Sequence, residues 1–305
     1  MIDFPTVKVT EGAVEIVVPD LSYYVQNGNY EPARAPVFYN PKMDFNRDVA
    51  VVVLQTYQRF LNRDLIICEP LTGCGVRAIR FAKEILGVEK VVAADINAKA
   101  VALAKLNSEL NSVKDLVEIL HEDATQLMCK HAAPGKRFEV VDIDPFGSPM
   151  PFISAALRAL KHKGLLCVTA TDMAPLCGVH VDACLRKYGA QPLRSEYCHE
   201  VAARILLAAI ARQAAIFEIG IKPILTYSTD HYARAYLIIE KGATKADSSL
   251  RNLGYILHCF NCLNRKVVQG FLPAADAICS ACGKPMQLAG PLWCGNLHNE
   301  SFLKE

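Results

Sequence analysis

The segment Leu65-Ile-Ile-Cys-Glu-Pro-Leu-Thr-Gly-Cys-Gly-Val76 decides the fold class of this 305-residue chain. Its first four residues are apolar and predict a short buried strand. Gly73 and Gly75 then precede an apolar pattern of helical spacing that runs from Val76 to Leu86. Glycine lets the backbone turn tightly and lets a ligand approach it closely. A strand, a glycine turn and a helix in this order predict the first unit of an α/β sheet.

Strands and helices continue to alternate beyond this segment, which implies βαβ units and a parallel sheet. The predicted strands are Lys90–Ala94, Val117–Leu120, Phe138–Ile143 and Leu165–Ala170, with helices at Ala98–Leu110 and Pro151–Leu160. Two further strands, Gly220–Tyr227 and Ala235–Glu240, are expected to complete the sheet.

The composition is that of a folded protein with one large domain and a small one, because 52% of the residues are hydrophobic and 21% are charged. The net charge of +2 is weakly informative about a nucleic-acid partner. Residues 1–15 carry no secretory or transit pattern, so we expect a cytoplasmic protein. The apolar segment 201–221 contains Arg204 and Arg212, which predicts a buried helix running into a strand and no membrane span.

Acidic residues follow the next two predicted strands. Asp95 ends the second strand, where a carboxylate can bind the hydroxyls of a ribose. Asp123 and Ala124 follow the third strand, where a carboxylate can accept the amino group of adenine. Taken singly, each aspartate is also a good helix N-cap. Together with Gly73 and Gly75 they predict a nucleotide cofactor, and the missing third glycine makes NAD the less favoured one.

The fourth predicted strand ends in Val141-Asp-Ile-Asp144-Pro-Phe146-Gly-Ser-Pro149, an arrangement typical of amino-methyltransferases. An exocyclic amine of a base is a poor nucleophile, because its lone pair is delocalised into the ring. Asp144 can accept a hydrogen bond from that amine and remove its proton, and Phe146 can stack on an extruded base. The same letters also form a good turn. Their place beside a predicted cofactor site favours catalysis.

Two C-x-x-C motifs, sixteen residues apart, indicate a metal site near the carboxyl end. The spacing matches a four-cysteine zinc site, in which no ligand position is open to water, so the zinc would be structural. The predicted ligands are Cys259, Cys262, Cys279 and Cys282. A redox pair explains one such motif but not two. His258, Cys294 and His298 lie nearby and are expected to be bystanders.

Beyond these motifs, the chain resembles the tRNA guanine N2-dimethyltransferases of archaea and eukaryotes, which act on guanosine 26. The resemblance runs along nearly the whole chain. It rests on Thr10-Glu-Gly12, Val37-Phe-Tyr-Asn-Pro41, Phe45-Asn-Arg-Asp48, Asp142-Ile-Asp-Pro-Phe-Gly-Ser-Pro149, Thr169-Ala-Thr-Asp-Met-Ala174, Lys187-Tyr-Gly189, Cys198-His-Glu200 and Gly290-Pro-Leu-Trp293.

The resemblance implies a class I, Rossmann-like methyltransferase fold, S-adenosylmethionine as cofactor and tRNA as partner, with no membrane and no obligate protein partner. It implies that Arg47 and Arg77 hold the cofactor, that Asp95, Asp123 and Ala124 contact its ribose and adenine, and that Asp144 is catalytic. It also supports a zinc-ribbon domain. The adjacent Cys198 and His199 are expected to be structural, since neighbouring residues on a helix do not face each other.

We therefore expect a methyltransferase domain at residues 1–245, with an N-terminal extension at 1–45, and a zinc-ribbon domain at 246–305. Residues 242–249 are small and polar and read as a linker. Members of the resembled family usually continue past the equivalent of Glu305, so the tRNA-binding part is expected to be short or absent here. Two alternatives stay open: an inactive tRNA-binding module, and an amine methyltransferase for another base.

Overall fold

The structure is a computed structural model that describes residues 2–26, 29–270 and 277–305. Its strands are β1 (Thr6–Glu11), β2 (Val14–Pro19), β3 (Val25–Gln26), β4 (Asn29–Tyr30), β5 (Leu65–Glu69), β6 (Val88–Asp95), β7 (Val117–His121), β8 (Phe138–Ile143), β9 (Leu160–Ala170), β10 (Ile219–Thr229), β11 (Tyr232–Lys241), β12 (Leu253–His258), β13 (Arg265–Gln269) and β14 (Gln287–Trp293).

Its helices are α1 (Asp44–Leu61), α2 (Val76–Glu84), α3 (Ala98–Leu110), α4 (Ala124–Lys130), α5 (Met150–Ala159), α6 (Met173–Leu176), α7 (Val181–Tyr188), α8 (Cys198–Ala215), α9 (Ala243–Arg251) and α10 (Glu300–Leu303). Among the described residues, no helix has both the length and the apolar character needed to cross a bilayer.

The main sheet has seven strands in the order β10-β11-β9-β8-β5-β6-β7. Strands β8, β5, β6 and β7 are parallel, as the alternating pattern predicts. Strand β11 is antiparallel to both β9 and β10, so the sheet is mixed. Only two residues, Asp230 and His231, connect β10 to β11, and so short a loop permits only an antiparallel pair. The predicted α/β fold is confirmed.

The contacts divide the chain into two compact units. One comprises Met1–Asp142 with Ala159–Lys161, and the other comprises Ile143–Arg158 with His162–Glu305. The expected domain boundary after residue 245 does not coincide with this division and stays a prediction.

In the first unit, the β1–β2 hairpin is fastened to helix α3 by the buried side chain of Asn107. The Asn107 amide accepts from the Val17 backbone nitrogen (2.7 Å) and donates to the Val17 carbonyl (2.9 Å). It also donates to the carbonyl of Cys74 in the glycine turn, at 2.9 Å. One side chain therefore holds the N-terminal hairpin and the glycine turn against the same helix.

In the second unit, residues 242–249 are not a linker. Residues 243–251 form helix α9, with Ala246 and Ser249 buried. The Ser249 hydroxyl accepts from the Ile221 nitrogen (2.8 Å) and donates to the Ile221 carbonyl (3.2 Å), which fastens α9 to β10. The linker prediction is wrong because small polar residues need not be exposed: Ser249 satisfies its hydroxyl inside the core.

Substitution of Asn107 tests how the hairpin is attached. Asn107→Ala leaves the partner groups on Val17 and Cys74 unpaired in a buried setting, and each such group costs about 1–3 kcal/mol. We expect the free energy of unfolding to fall by about 2–5 kcal/mol in urea titrations. Ser108→Ala is the matched control, because the buried Ser108 hydroxyl has no hydrogen-bond partner among the described residues. Equal losses in the two variants would contradict the role of Asn107.

Candidate active site and metal cluster

The glycine turn after β5 has a fixed shape. Gly73 and Gly75 both take positive φ angles, 54° and 82°. A Cβ on Gly75 would lie 2.9 Å from the Cβ of Ala104, so a side chain there would push helix α3 away. The buried carboxylate of Glu69 accepts from the Thr72 hydroxyl (2.6 Å) and from the Ala78 nitrogen (3.1 Å). The turn and the start of α2 are thereby held in one conformation.

Asp95 is bonded directly to this turn. One carboxylate oxygen accepts from the Gly73 nitrogen (2.9 Å) and the other from the Asn97 nitrogen (2.8 Å), while the side chain stays partly exposed. Asn97 caps helix α3 through its own side chain. The N-cap alternative for Asp95 is therefore wrong, and its carboxylate is oriented beside the glycine turn.

Asp123 does cap a helix. Its carboxylate accepts from the Gln126 nitrogen at 2.9 Å, at the start of α4, and Ala124 is buried. Asp95 pairs with His121 across strands β6 and β7, so Asp123 follows at the same edge of the sheet. The structure thus brings Gly73, Asp95 and Asp123 to neighbouring strand ends. The contact of Asp123 and Ala124 with adenine stays a prediction.

Arg47 belongs to a buried charge cluster that sequence reasoning did not assemble. Its guanidinium donates to both carboxylate oxygens of Glu11, at 2.5 and 2.6 Å. Arg80 (3.1 Å) and the Tyr39 hydroxyl (3.2 Å) donate to the same carboxylate. Burial opposes ionisation of Glu11, but the hydrogen bonds and charges of Arg47 and Arg80 lower its pKa. Three motifs of the family resemblance, around residues 10–12, 37–41 and 45–48, meet in this cluster.

Arg77 is also buried, and it lies between two carboxylates. It is 3.7 Å from Glu69 and 3.6 Å from Asp142, and it donates to the Asn46 side chain at 2.8 Å. Asp142 is fully buried. The structure thus gives Arg47 and Arg77 protein carboxylates as partners, and the prediction that they hold the cofactor stays a prediction.

In the second unit, residues 144–149 form a loop with two contrasting side chains. Asp144 is partly exposed, whereas Phe146 is exposed, with 66% of the residue's surface accessible. Gly147 takes a positive φ of 79°, its nitrogen donates to the Thr171 hydroxyl (2.7 Å), and its carbonyl accepts from the Thr171 nitrogen (3.0 Å). Thr171 fixes the loop from the end of β9.

Asp172, the residue after Thr171, connects two further motifs of the family resemblance, at residues 169–174 and 187–189. The Asp172 carboxylate accepts from the buried Tyr188 hydroxyl (2.5 Å) and pairs with Lys187 (2.9 Å). Burial and the Asp172 carboxylate raise the pKa of Tyr188, which is also hydrogen-bonded to Ser148 in the loop. Sequence reasoning did not assign Thr171, Asp172 or Tyr188. Thr171 and Asp172 belong to one motif of the family resemblance and Tyr188 to another. That resemblance is the only sequence signal that indicates a shared role for the two motifs.

The four cysteines of the C-x-x-C motifs come together as predicted. The sulfur atoms of Cys259, Cys262, Cys279 and Cys282 all lie within 4.8 Å of one another, with two of the separations at 3.5 Å. Tetrahedral zinc with Zn–S bonds of about 2.3 Å requires sulfur separations of about 3.8 Å. The cluster therefore fits a zinc ion.

The surroundings of the cysteines support ligation by thiolates. The side-chain amide of Asn264 donates to the Cys279 sulfur at 3.5 Å and lowers the pKa of that thiol to about 6. The two turns match, because the nitrogens of Leu263 and Gly283 donate to the carbonyls of Cys259 and Cys279, each at 2.8 Å. Among the described residues, His258, Cys294 and His298 lie outside the cluster, as expected.

Comparisons with known proteins agree on one family. The family model described as N2,N2-dimethylguanosine tRNA methyltransferase matches residues 12–305. The tRNA (guanine(26)-N(2))-dimethyltransferase of Methanothermobacter thermautotrophicus is 44% identical over 299 residues, covering 98% of this chain and 75% of the relative. The tRNA (guanine(26)-N(2)/guanine(27)-N(2))-dimethyltransferase of Aquifex aeolicus is 41% identical over 295 residues, covering 96% and 73%.

A solved structure is similar over the same extent. Trm1 from Pyrococcus horikoshii, in complex with S-adenosyl-L-methionine, superposes with a TM-score of 0.82 at 39% identity. The superposition covers 98% of this chain and 76% of that one.

Substitution of Glu11 tests the buried charge cluster. Glu11→Gln leaves the buried Arg47 without its carboxylate partner and removes one of the three carboxylates paired with Arg80. We therefore expect the free energy of unfolding to fall by about 3–5 kcal/mol at neutral pH. Because the folded pKa of Glu11 is lowered, its stabilisation is present above the ordinary value of 4.5 and is lost as the pH falls through the folded pKa. The difference between wild type and variant should therefore shrink in acid.

The matched control is Glu15→Gln on the same hairpin, where the carboxylate pairs with Lys8 in solvent. An exposed pair contributes at most about 1 kcal/mol. A Glu11→Gln variant as stable as Glu15→Gln at neutral pH would refute the cluster's contribution.

Proposed function

The chain belongs to the N2,N2-dimethylguanosine tRNA methyltransferase family, and from this we propose that it transfers methyl groups from S-adenosylmethionine to the exocyclic N2 of a guanine in tRNA. The observation that carries the proposal is the loop at residues 144–149, where the partly exposed Asp144 stands two residues before the exposed Phe146. The intact loop argues against an inactive tRNA-binding module. The single proline followed by Phe-Gly-Ser-Pro argues against a methyltransferase for adenine.

S-adenosylmethionine supplies a methyl group bound to a positively charged sulfur. We propose that Asp95 binds the ribose of this cofactor, because its carboxylate is oriented by two backbone amides and stays partly exposed. Asp123 and Ala124 would bind the adenine. Gly73 and Gly75 would let the cofactor approach the backbone, since neither glycine carries a side chain at the turn.

Asp144 would act on the guanine. Its carboxylate accepts a hydrogen bond from the N2 amine, which localises the nitrogen lone pair and prepares it for attack on the methyl carbon. Transfer would form the nitrogen–carbon bond as the methyl–sulfur bond of the cofactor breaks, and the cofactor would leave as a neutral thioether. The amine would then be cationic, and the same carboxylate could take its proton. Phe146 stacks on the guanine ring and holds the base in place. Thr171 keeps both side chains on a loop of fixed shape, and this arrangement reduces the reorganisation needed before reaction.

The position of the target guanine is expected to be 26. The relatives of similar identity are named for position 26 alone or for positions 26 and 27. Dimethylation would require the monomethylated amine to return to Asp144 with one N–H left. We expect the protein to act in the cytoplasm, where tRNA is the available partner.

We infer that Cys259, Cys262, Cys279 and Cys282 hold one structural zinc ion. The described core around these ligands is small, with Leu257 and Met286 buried against the cysteines. A segment this small cannot bury enough apolar surface to fix itself, so the metal would supply folding energy. Its removal should loosen the C-terminal segment and leave cofactor binding intact, since Gly73, Asp95 and Asp123 lie in the other unit.

Methyl transfer itself is tested with Asp144→Ala. Wild-type protein should introduce N2-methylguanosine and N2,N2-dimethylguanosine into unmodified tRNA, as seen by mass spectrometry of nucleosides with position mapping. The variant should bind the cofactor as tightly as wild type in calorimetry. Its single-turnover rate should fall by about 10²–10⁴, the range for loss of a positioned acid/base group. Asp115→Ala, at an exposed site, is the control. A wild-type rate in the Asp144 variant would exclude the catalytic role.

Base stacking is tested with Phe146→Ala. Stacking on an aromatic side chain is worth about 1–3 kcal/mol per base, or about 5- to 150-fold in affinity. We therefore expect methylation to slow at low tRNA concentration and to recover largely at saturating tRNA. Phe217→Ala removes another exposed phenylalanine and should leave the rate unchanged. A Phe146 variant indistinguishable from wild type at every tRNA concentration would contradict stacking.

The ribbon zinc is tested by chelation of the full-length protein, followed by hydrogen exchange. We expect protection to be lost first in residues 253–270 and 277–293 and to persist in strands β5 to β8, with unchanged cofactor affinity. Collapse of the parallel strands on chelation would show that the two parts do not fold separately, and equal protection with and without chelator would refute the zinc assignment.

A further inference from the structure

A second group of metal-ligating side chains lies in the unit that contains the 144–149 loop. Cys177, Cys198 and His199 present two sulfur atoms and one imidazole nitrogen within 4.8 Å of one another. The Cys198 sulfur is 3.9 Å from the Nδ1 atom of His199. Cys177 is hydrogen-bonded to Cys198. None of these three residues takes part in the proposed methyl transfer. None belongs to the ribbon, the four-cysteine cluster formed by Cys259, Cys262, Cys279 and Cys282.

Backbone structure, and not chance packing of flexible side chains, places these donors. Cys177 follows helix α6, and Cys198 and His199 are the first two residues of the 18-residue helix α8. Next to Cys177, Gly178 takes a positive φ of 87°, and a Cβ there would lie 2.8 Å from the backbone nitrogen of Arg194. The chain segments that carry the donors are therefore in close backbone contact.

The side chains of Cys198 and His199 lie close together, contrary to the expectation that adjacent helical residues point apart. Neighbouring side chains in the middle of a helix point apart. Here the two residues occupy the first turn, after Tyr197 in a non-helical conformation. Their side chains converge towards Cys177 at the start of the helix.

The donor set selects the kind of ion. Two thiolates and one imidazole are soft and borderline ligands that suit zinc and similar cations and do not suit magnesium or calcium. With Zn–S bonds of about 2.3 Å and a Zn–N bond of about 2.0–2.1 Å, a tetrahedral site separates its donors by about 3.6–3.8 Å. The observed 3.9 Å between Cys198 and His199 is close to that value.

We propose that Cys177, Cys198 and His199 form a second zinc site, separate from the ribbon, with three protein ligands and one position left for water. Two thiolates and a zinc ion give a neutral complex, so the partly buried site needs no further counter-charge. The ion would join the end of α6 to the start of α8. Helix α6 begins directly after Asp172, whose carboxylate accepts a hydrogen bond from Tyr188. The zinc ion would therefore also stabilise the segment between Asp172 and Cys177.

The experiment is a zinc count on full-length protein that has been prepared with a reductant and freed of loosely bound metal by gel filtration. Wild type should hold two zinc ions per chain. His199→Ala should hold one, because the exposed imidazole can be removed without disturbing the core. Cys262→Ser should also hold one, through loss of the ribbon ion, and the double variant should hold none.

His180→Ala is the matched control, since His180 is an exposed histidine beside the neighbouring helix α7, and it should keep both ions. Cobalt gives an independent readout in the Cys262→Ser background. A thiolate-to-cobalt charge-transfer band should appear there and disappear when Cys198→Ser is added.

Three results would overturn the proposal. One is a single zinc ion in wild type that His199→Ala does not affect. Another is two ions in both wild type and His199→Ala, which would place the second ion elsewhere. The third is a Cys177–Cys198 disulfide in the reduced, zinc-supplied protein, seen as the loss of two hydrogens in the intact mass.

Discussion

Arg77 lies between two buried carboxylates, Glu69 and Asp142, at the ends of the neighbouring parallel strands β5 and β8. Two unneutralised carboxylates at this depth would each carry a large desolvation cost. Glu69 in turn accepts hydrogen bonds from Thr72 and from the first turn of α2, so the shape of the glycine turn depends on where this carboxylate is held. One guanidinium thereby couples the turn proposed to receive the cofactor with the strand that leads to Asp144. An effect of Arg77 on cofactor binding needs no direct contact, because it can act through Glu69.

Much of this architecture follows from local sequence pattern, because strand and helix boundaries are set by apolar periodicity within a few residues. The predicted span of α3, Ala98–Leu110, and that of β8, Phe138–Ile143, agree with the structure. Glycines and aspartates at strand ends were predictable for the same reason, since βαβ connection brings successive strand ends to one edge. Asp95 shows the limit, because a carboxylate at a strand end fits both a cap and a ribose ligand. The structure excludes the cap, because Asn97 caps α3 and the Asp95 carboxylate is bonded to the Gly73 nitrogen, while the ribose contact stays a prediction.

Interactions between distant segments could not be predicted in this way. Glu11 joins Arg47 and Arg80, which are 36 and 69 residues away, and nothing in the local pattern of either segment indicates a buried partner. The burial of Ser249 also depends on a distant segment, because its hydroxyl can be buried only where β10 offers both a donor and an acceptor. After the second C-x-x-C motif, Gly283 has a positive φ of 69°, which suits glycine. Leu263 takes the same left-handed conformation, with φ of 62°, in the first motif. A left-handed non-glycine residue costs about 1–2 kcal/mol, which ligand bonds to a metal can offset.

Asp142 and Asp144, at and just beyond the end of β8, differ in exposure and therefore in the role that each can have. Asp142 has no accessible surface and faces Arg77, so it can hold the strand end but cannot reach a base. Asp144 lies two residues further on, and two residues of extended chain span at most about 7 Å, so it stays close to that strand end. There it is partly exposed on a loop whose shape is set by Gly147 and Thr171. A group that must accept a proton from a weakly basic amine needs both access to the substrate and a fixed position. Asp144, the proposed proton acceptor, combines exposure with a fixed loop, because Asp142 paired with Arg77 anchors the strand end and Thr171 fixes the loop.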